Sequence, residues 1–169
     1  MEDSIIWQVV WVTLTVTIFV SALLAGRSRM AMYVGRAAIA ALWIGAGALF
    51  NALNLATGAS YKGFADSSYI PFVRDTWRSV VGAHQFIFIP LLVAFEASVG
   101  ILVLSGGRRT QLGLVGVMGF VIALLSFGWA YYAFSIPMLV AFVLLLRAER
   151  EHAVTPSTVG TQHEERLAA

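Results

Sequence analysis

Apolar residues in this chain fall into four long runs, at about residues 5–25, 37–56, 80–104 and 112–146, separated by short polar or basic segments. Each of the first three matches one bilayer crossing, because about 20 helical residues at ~1.5 Å rise span a hydrocarbon core of ~30 Å. The fourth is too long, since its 35 residues would make a helix of roughly 50 Å. A break is therefore expected within "FGWAYYAFSIP", where Gly128 interrupts the run, an aromatic cluster suits a membrane interface, and Ser135 and Pro137 are helix-start residues. The pattern predicts an all-α polytopic membrane bundle of five transmembrane helices, at about 5–25, 37–56, 80–104, 112–130 and 131–147, with an external loop over 57–79. A four-crossing arrangement is the alternative. Residues 1–152 read as a single transmembrane domain and 153–169, polar and short of bulky apolar side chains, as a disordered cytoplasmic tail.

Charge supports the count of five. With the amino terminus outside, Arg27, Arg29, Arg36, Arg108, Arg109, Arg147, Arg150 and Arg166 fall on the internal side, against Lys62, Arg74 and Arg78 outside, eight to three in the sense of the positive-inside rule. Four crossings would move the tail arginines outside and lose much of that agreement. The leader MEDS is acidic and the first run is longer than a signal-peptide core, so the first helix reads as a retained anchor. A bacterial plasma-membrane location follows from this reading together with the resemblance given below.

Composition narrows the chemistry. With 59% hydrophobic and 12% charged residues and a mean hydropathy of +0.82, only a membrane protein fits. Cysteine is absent, which excludes disulfides, thiol relays and cysteine-ligated metals. The basic residues flank apolar runs instead of forming a stripe, so no nucleic-acid partner is expected. His84, His152 and His163 do not make an intramembrane pair, so a self-contained b-type haem is not expected, and no zinc-type His spacing, phosphate loop or shared-face Ser/His/Asp set occurs.

Glu96 stands alone inside "FIFIPLLVAFEASVGILVL", and an ionisable side chain at that depth is costly unless compensated. On the second helix Arg36, Ala40, Trp43, Gly47, Asn51 and Asn54 recur at steps of three and four, and on the third Gln85, Ile89, Leu92, Glu96 and Val99 do the same. Counted inward from residues 56 and 80, Asn51 and Gln85 are level at ~8 Å, whereas Arg36 and Glu96 lie at ~30 and ~24 Å, a gap an arginine can cover. The expectation is an Arg36–Glu96 pair with an outer hydrogen-bonded cluster of Asn51, Asn54 and Gln85, and His84 beside it. Bland readings stand next to these: a snorkelling Arg36, asparagines as interhelical glue, a protonated Glu96 bonded to a neighbour, and His84 as a satisfied interfacial histidine. Pro90 frees the Phe86 carbonyl, and Gly113, Gly116 and Gly119 permit close helix packing or an oligomer face. In the external loop Pro71 can open a short helix through Arg74, Asp75, Trp77 and Arg78, either as an interfacial lid or as a plain wet loop with aromatic anchors.

The segments "YVGRAAIAALWIGAGALFNAL", "GFADSSYIPFVRDTW" and "LLVAFEASVGILVLSGGRRTQLGLVG", followed by an apolar hairpin, resemble the DoxX-like family of small bacterial membrane proteins over about residues 33–146. The resemblance rests on Arg36 opening a helix, Phe64 to Asp66 with Pro71 and Phe72 in the loop, and Glu96, Gly100, Arg108 and Arg109 after it. It implies a four-helix core to which the first helix is added. It also implies an accessory subunit of a membrane redox or respiratory assembly, with quinone a candidate ligand and other membrane subunits or further copies of the chain as partners. No catalytic residue or metal ligand is assigned, and the chain reads as not an enzyme by itself. The lack of cysteine argues against direct thiol chemistry. Two other readings compete: a small proton-coupled carrier using Glu96, and a structural or assembly protein.

Overall fold

A computed structural model describes residues 2–154. It has five helices long and apolar enough to cross a membrane. The chain is a multi-pass, all-α membrane bundle. We label the helices α1 (Glu2–Leu24), α2 (Arg29–Ala56), α3 (Pro71–Thr76), α4 (Gln85–Leu104), α5 (Gly107–Leu124) and α6 (Trp129–Val154). Successive spans run antiparallel and close into a ring in which α1 meets α2, α2 meets α4, α4 meets α5, α5 meets α6 and α6 returns to α1. One end of the ring carries the long loop, residues 57–84. The other carries the short arginine-flanked turns.

Local chemistry sets the boundaries. Ser28, in extended geometry, caps α2 by accepting a hydrogen bond from the Ala31 amide at 3.2 Å. The turn between α4 and α5 is two residues, and Gly106 takes φ +88°, a conformation side-chain-bearing residues disfavour. At the loop end Gly128, φ +126°, separates the tightened last turn of α5, Leu125–Phe127, from α6. The break in the long fourth run thus falls at Gly128. Ser135 and Pro137 do not start the last helix, as the sequence suggested, but lie inside α6: the glycine turn reverses the chain before the proline is reached. The last helix continues to Val154, past the expected start of the tail, and residues 155–169 lie outside the described residues.

Inside the ring, Ile39, Leu42, Val99, Val103, Leu114, Val117, Met138, Phe142 and Leu145 form a continuous core. The outer surface is also apolar, with Ile87, Leu91, Ile101, Leu112, Val115, Ile122 and Val140 exposed, as a lipid-facing bundle requires. Gly113 lets α5 approach α4 closely: a Cβ there would stand 2.7 Å from the Val103 backbone nitrogen. Gly116 packs on Val99, whereas Gly119 faces open space. Two of the three glycines are therefore used within the chain, which leaves no continuous glycine face for an oligomer. Residues Ala41–Leu49 of α2 are wound in wide π-type turns, a feature that often accompanies functional sites.

Outside the spans, the Arg78 guanidinium donates to Asp66 at 2.9 Å and holds that carboxyl below its ordinary 3.8. Because the folded-state pKa is depressed, the contact's contribution is full above 3.8 and fades as pH falls through the lower folded value. Asp66→Asn is expected to speed amide exchange in residues 60–80 at neutral pH, with the difference from wild type vanishing in strong acid. For the bundle, Gly113→Ala should lower thermal stability in detergent by the equivalent of about 1–3 kcal/mol, through overpacking. The chemically identical Gly119→Ala should be neutral or stabilising by up to ~1 kcal/mol, through helix propensity.

Candidate functional site

Glu96 is buried, 5% exposed, on the inner face of α4. Its Oε2 accepts a hydrogen bond from Asn51 Nδ2 at 2.9 Å. Opposite lies Gly47, where a Cβ would be 3.0 Å from the carboxyl carbon, so the missing side chain makes room for the acid against α2. The orientation of Asn51 is set in turn by Tyr61 from the long loop. The Tyr61 hydroxyl donates to both the backbone and the side-chain oxygen of Asn51, each at 3.1 Å. That leaves the Asn51 amino group directed at Glu96. Burial raises the Tyr61 phenol above its ordinary 10.0, a value at which it is already a protonated donor at physiological pH.

Tyr61 is fixed by two further bonds, and a third holds its partner Gln85. Its amide donates to Gln85 Oε1 at 3.1 Å, Gln85 Nε2 donates to Ala59 O at 3.2 Å, and Trp77 Nε1 donates to Tyr61 O at 2.7 Å. Gln85, Tyr61, Asn51 and Glu96 thus form one polar chain from the loop to mid-helix. Asn54 borders it, beside the Tyr61 hydroxyl. His84 does not join: it is exposed, with Nδ1 3.0 Å from the Val80 carbonyl of its own turn.

Arg36 does not pair with Glu96. Its Nε and Nη2 donate to the Val103 and Leu104 carbonyls at the end of α4, both at 2.9 Å, and Nη1 lies 3.5 Å from Glu149 Oε2. Glu149 Oε1 also accepts from the Gly107 amide at 3.2 Å. The reason is register. The third span begins at Gln85, not at residue 80, because Trp77–Val81 belong to the loop helix. Counted from Gln85, Glu96 is only about 16 Å deep, close to Gly47 at ~14 Å and within side-chain reach of Asn51 one turn further out, while Arg36 is about 30 Å deep. A nearer acid and two free helix-end carbonyls take the guanidinium.

The acid sits in the wall of a chamber of about 620 Å³ toward the loop end, within the size range of small-molecule sites. Leu92, Phe88, Phe120, Phe134, Trp11 and Trp43 supply most of its sides. Phe64, Trp77, Phe127 and Tyr131 close its loop end, with ring centroids 5.0 to 6.1 Å apart. Few polar groups line it: Glu96, Asn51, Tyr61, Tyr131 and the indoles of Trp11, Trp43 and Trp77. Trp43 Nε1 is a buried donor with no hydrogen-bond partner, although its ring is held edge-on against Phe120 and Phe142. Thr15 Oγ1 and Ser135 Oγ are likewise buried without a partner.

Of the expected site residues, Glu96 and Asn51 line the chamber, Gln85 and Asn54 brace it from the loop end, and Arg36 and His84 stand apart. Pro71 does open the short helix α3. Trp77, in the turn that continues it, reaches the chamber, while Asp75 and Arg78 are exposed and Arg74 half-buried. Tyr61, Gly47, Trp43 and Glu149 were not singled out as site residues from sequence. Tyr61 is one aromatic among many in its loop, and Glu149 sits in "RAEREH", which reads as a boundary charge cluster.

No family model, curated protein or solved structure matches the chain.

Breaking the Arg36–Glu149 contact should be costly, since it leaves one buried charge uncompensated. Arg36→Met or Glu149→Gln is expected to destabilise by about 3–5 kcal/mol. A double-mutant cycle should show coupling of roughly 0.5–3 kcal/mol for Arg36 with Glu149 and near-additivity for Arg36 with Glu96→Gln. Unfolding measurements in bicelles read both.

Proposed function

We propose that this protein binds a lipid-soluble ring compound, a quinone being the best fit, in the chamber between α2, α4, α5 and the loop, as an accessory subunit of a membrane redox assembly. The observation that carries this is the chamber of about 620 Å³, whose aromatic wall includes Glu96, Asn51 and Tyr131 among its few polar side chains. A flat ring satisfies the stacking surfaces, and a carbonyl on it suits a donor such as the Tyr131 hydroxyl. The DoxX-like resemblance is in keeping with such a role. In this reading the protein lies in a bacterial plasma membrane with the amino terminus and residues 57–84 outside. Other membrane subunits, or further copies of the chain, would be its partners.

The proton-carrier reading is less well supported. The polar chain ends at Glu96, and between it and the Arg36–Glu149 cluster the buried positions are Ile39, Leu42, Val99, Val103 and Leu145. A proton that reached Glu96 from the loop end would find no polar path onward. A purely structural role leaves the chamber without an explanation.

Titration of the purified protein in lipid nanodiscs with a tailless methoxy-substituted benzoquinone, followed by tryptophan quenching, tests the proposal. Saturable binding is expected, and Tyr131→Phe, which keeps the ring but removes the hydroxyl, should weaken it roughly tenfold, as loss of one buried hydrogen bond implies. Absence of saturable binding to the wild-type chain would remove the basis of the reading.

A further inference from the structure

The chamber is closed very differently on its two open sides. At the loop end hydrogen bonds do the closing: Trp77 Nε1 to Tyr61 O at 2.7 Å, Ser67 Oγ to Phe127 O at 2.7 Å, and Ser68 Oγ to Ser126 O. On the side toward α1 there is much less. Helix α1 is buried only along its second half, at Ile18, Ser21 and Ala22, whereas Ile5, Ile6, Val9 and Val12 are 53 to 61% exposed. Its first half therefore stands away from the ring. A groove of about 460 Å³ separates it from α2, lined by Trp7, Gln8, Trp11, Val12, Ala46 and Phe50. Trp11, Ala46 and Phe50 also line the chamber, so groove and chamber are continuous. Two ring contacts span this side, Trp7 on Phe50 at 5.2 Å and Trp11 on Phe134 at 4.6 Å.

Resting on the chamber's proposed role, we infer that the ligand carries a flexible hydrocarbon tail, and that the groove between α1 and α2 holds this tail and connects the chamber sideways to the bilayer. A water-soluble ligand would have to break the hydrogen-bonded loop end. A membrane-dissolved one has only to part aromatic contacts worth about 0.5–1.5 kcal/mol each. Apart from the Gln8 amide and the indole nitrogens of Trp7 and Trp11 the groove is apolar, which suits an alkyl or prenyl chain better than a polar solute. The wide turns of α2 pass through Ala46, so the helix wall is irregular where the two spaces join. Val12 lines the groove but not the chamber, which separates tail recognition from ring recognition.

The test compares the tailless benzoquinone with the same ring bearing a decyl chain, on the full chain in phosphatidylcholine nanodiscs. Val12→Trp fills the groove at an exposed position on the loosely packed half of α1. It should weaken the decyl compound roughly tenfold while leaving the tailless ring within about twofold. Unchanged affinity for the decyl compound, or an equal loss for both, overturns the inference and leaves the chamber reading standing. Failure of the wild-type chain to bind either compound overturns both. A diazirine at the tail terminus supplies a readout independent of the variant's folding: crosslinks should map to residues 5–12 of α1 or to α2 near Phe50, and crosslinks confined to residues 57–84 contradict a lateral tail path.

Discussion

Everything at the loop end depends on the Asn51 amide bonded to the Glu96 carboxyl at 2.9 Å. A carboxyl in mid-span costs several kcal/mol if left without a partner, and among the described residues no cation forms an ion pair with it. The partner is a neutral amide, held in orientation by Tyr61 and given space by Gly47. Because Tyr61 belongs to the loop, burial of the acid and closure of the chamber are one event. A loop that let go would release the Asn51 side chain and expose the acid to water together.

The bundle also separates its two kinds of polar work. Charge is concentrated at the arginine end, where Arg36 ties α2 to the last carbonyls of α4 and to Glu149 on α6. Thr110 adds to this end by donating to Val103 O at 3.0 Å. Three helices are clamped there, and α1 is packed there too, through Ile18, Ser21 and Ala22. Packing is tight where the ions are and loose where the chamber is. Rigidity at one end and aromatic, slidable contacts at the other are what a membrane site needs if its occupant arrives from the side.

Helix number and class were legible in the sequence because hydrophobic length is a direct consequence of bilayer thickness, and Gly128 marked the one ambiguous break. The Asn51, Gln85 and Glu96 face was legible from spacing alone. Partner choice was not. It turned on where α4 begins: the apolar Val80 and Val81 read as the start of the span, but they belong to the turn Trp77–Val81. Placing that turn in the loop shifts Glu96 outward by about five residues, or ~8 Å, enough to exchange Arg36 for Asn51. Tyr61 escaped notice for a related reason: a residue that folds back from a loop has no periodicity to betray it. The Trp43 donor was visible on its helix stripe, but only three-dimensional packing shows that it is left without an acceptor.

The most direct test of this account is a solid-state NMR measurement of dipolar contact from the ¹³C-labelled Glu96 carboxyl, in lipid, to labelled side-chain nitrogens. The account predicts a short-range coupling to Asn51 Nδ2, lost in Asn51→Ala, and none to the Arg36 guanidinium. A coupling to Arg36, with Asn51 silent, would contradict it.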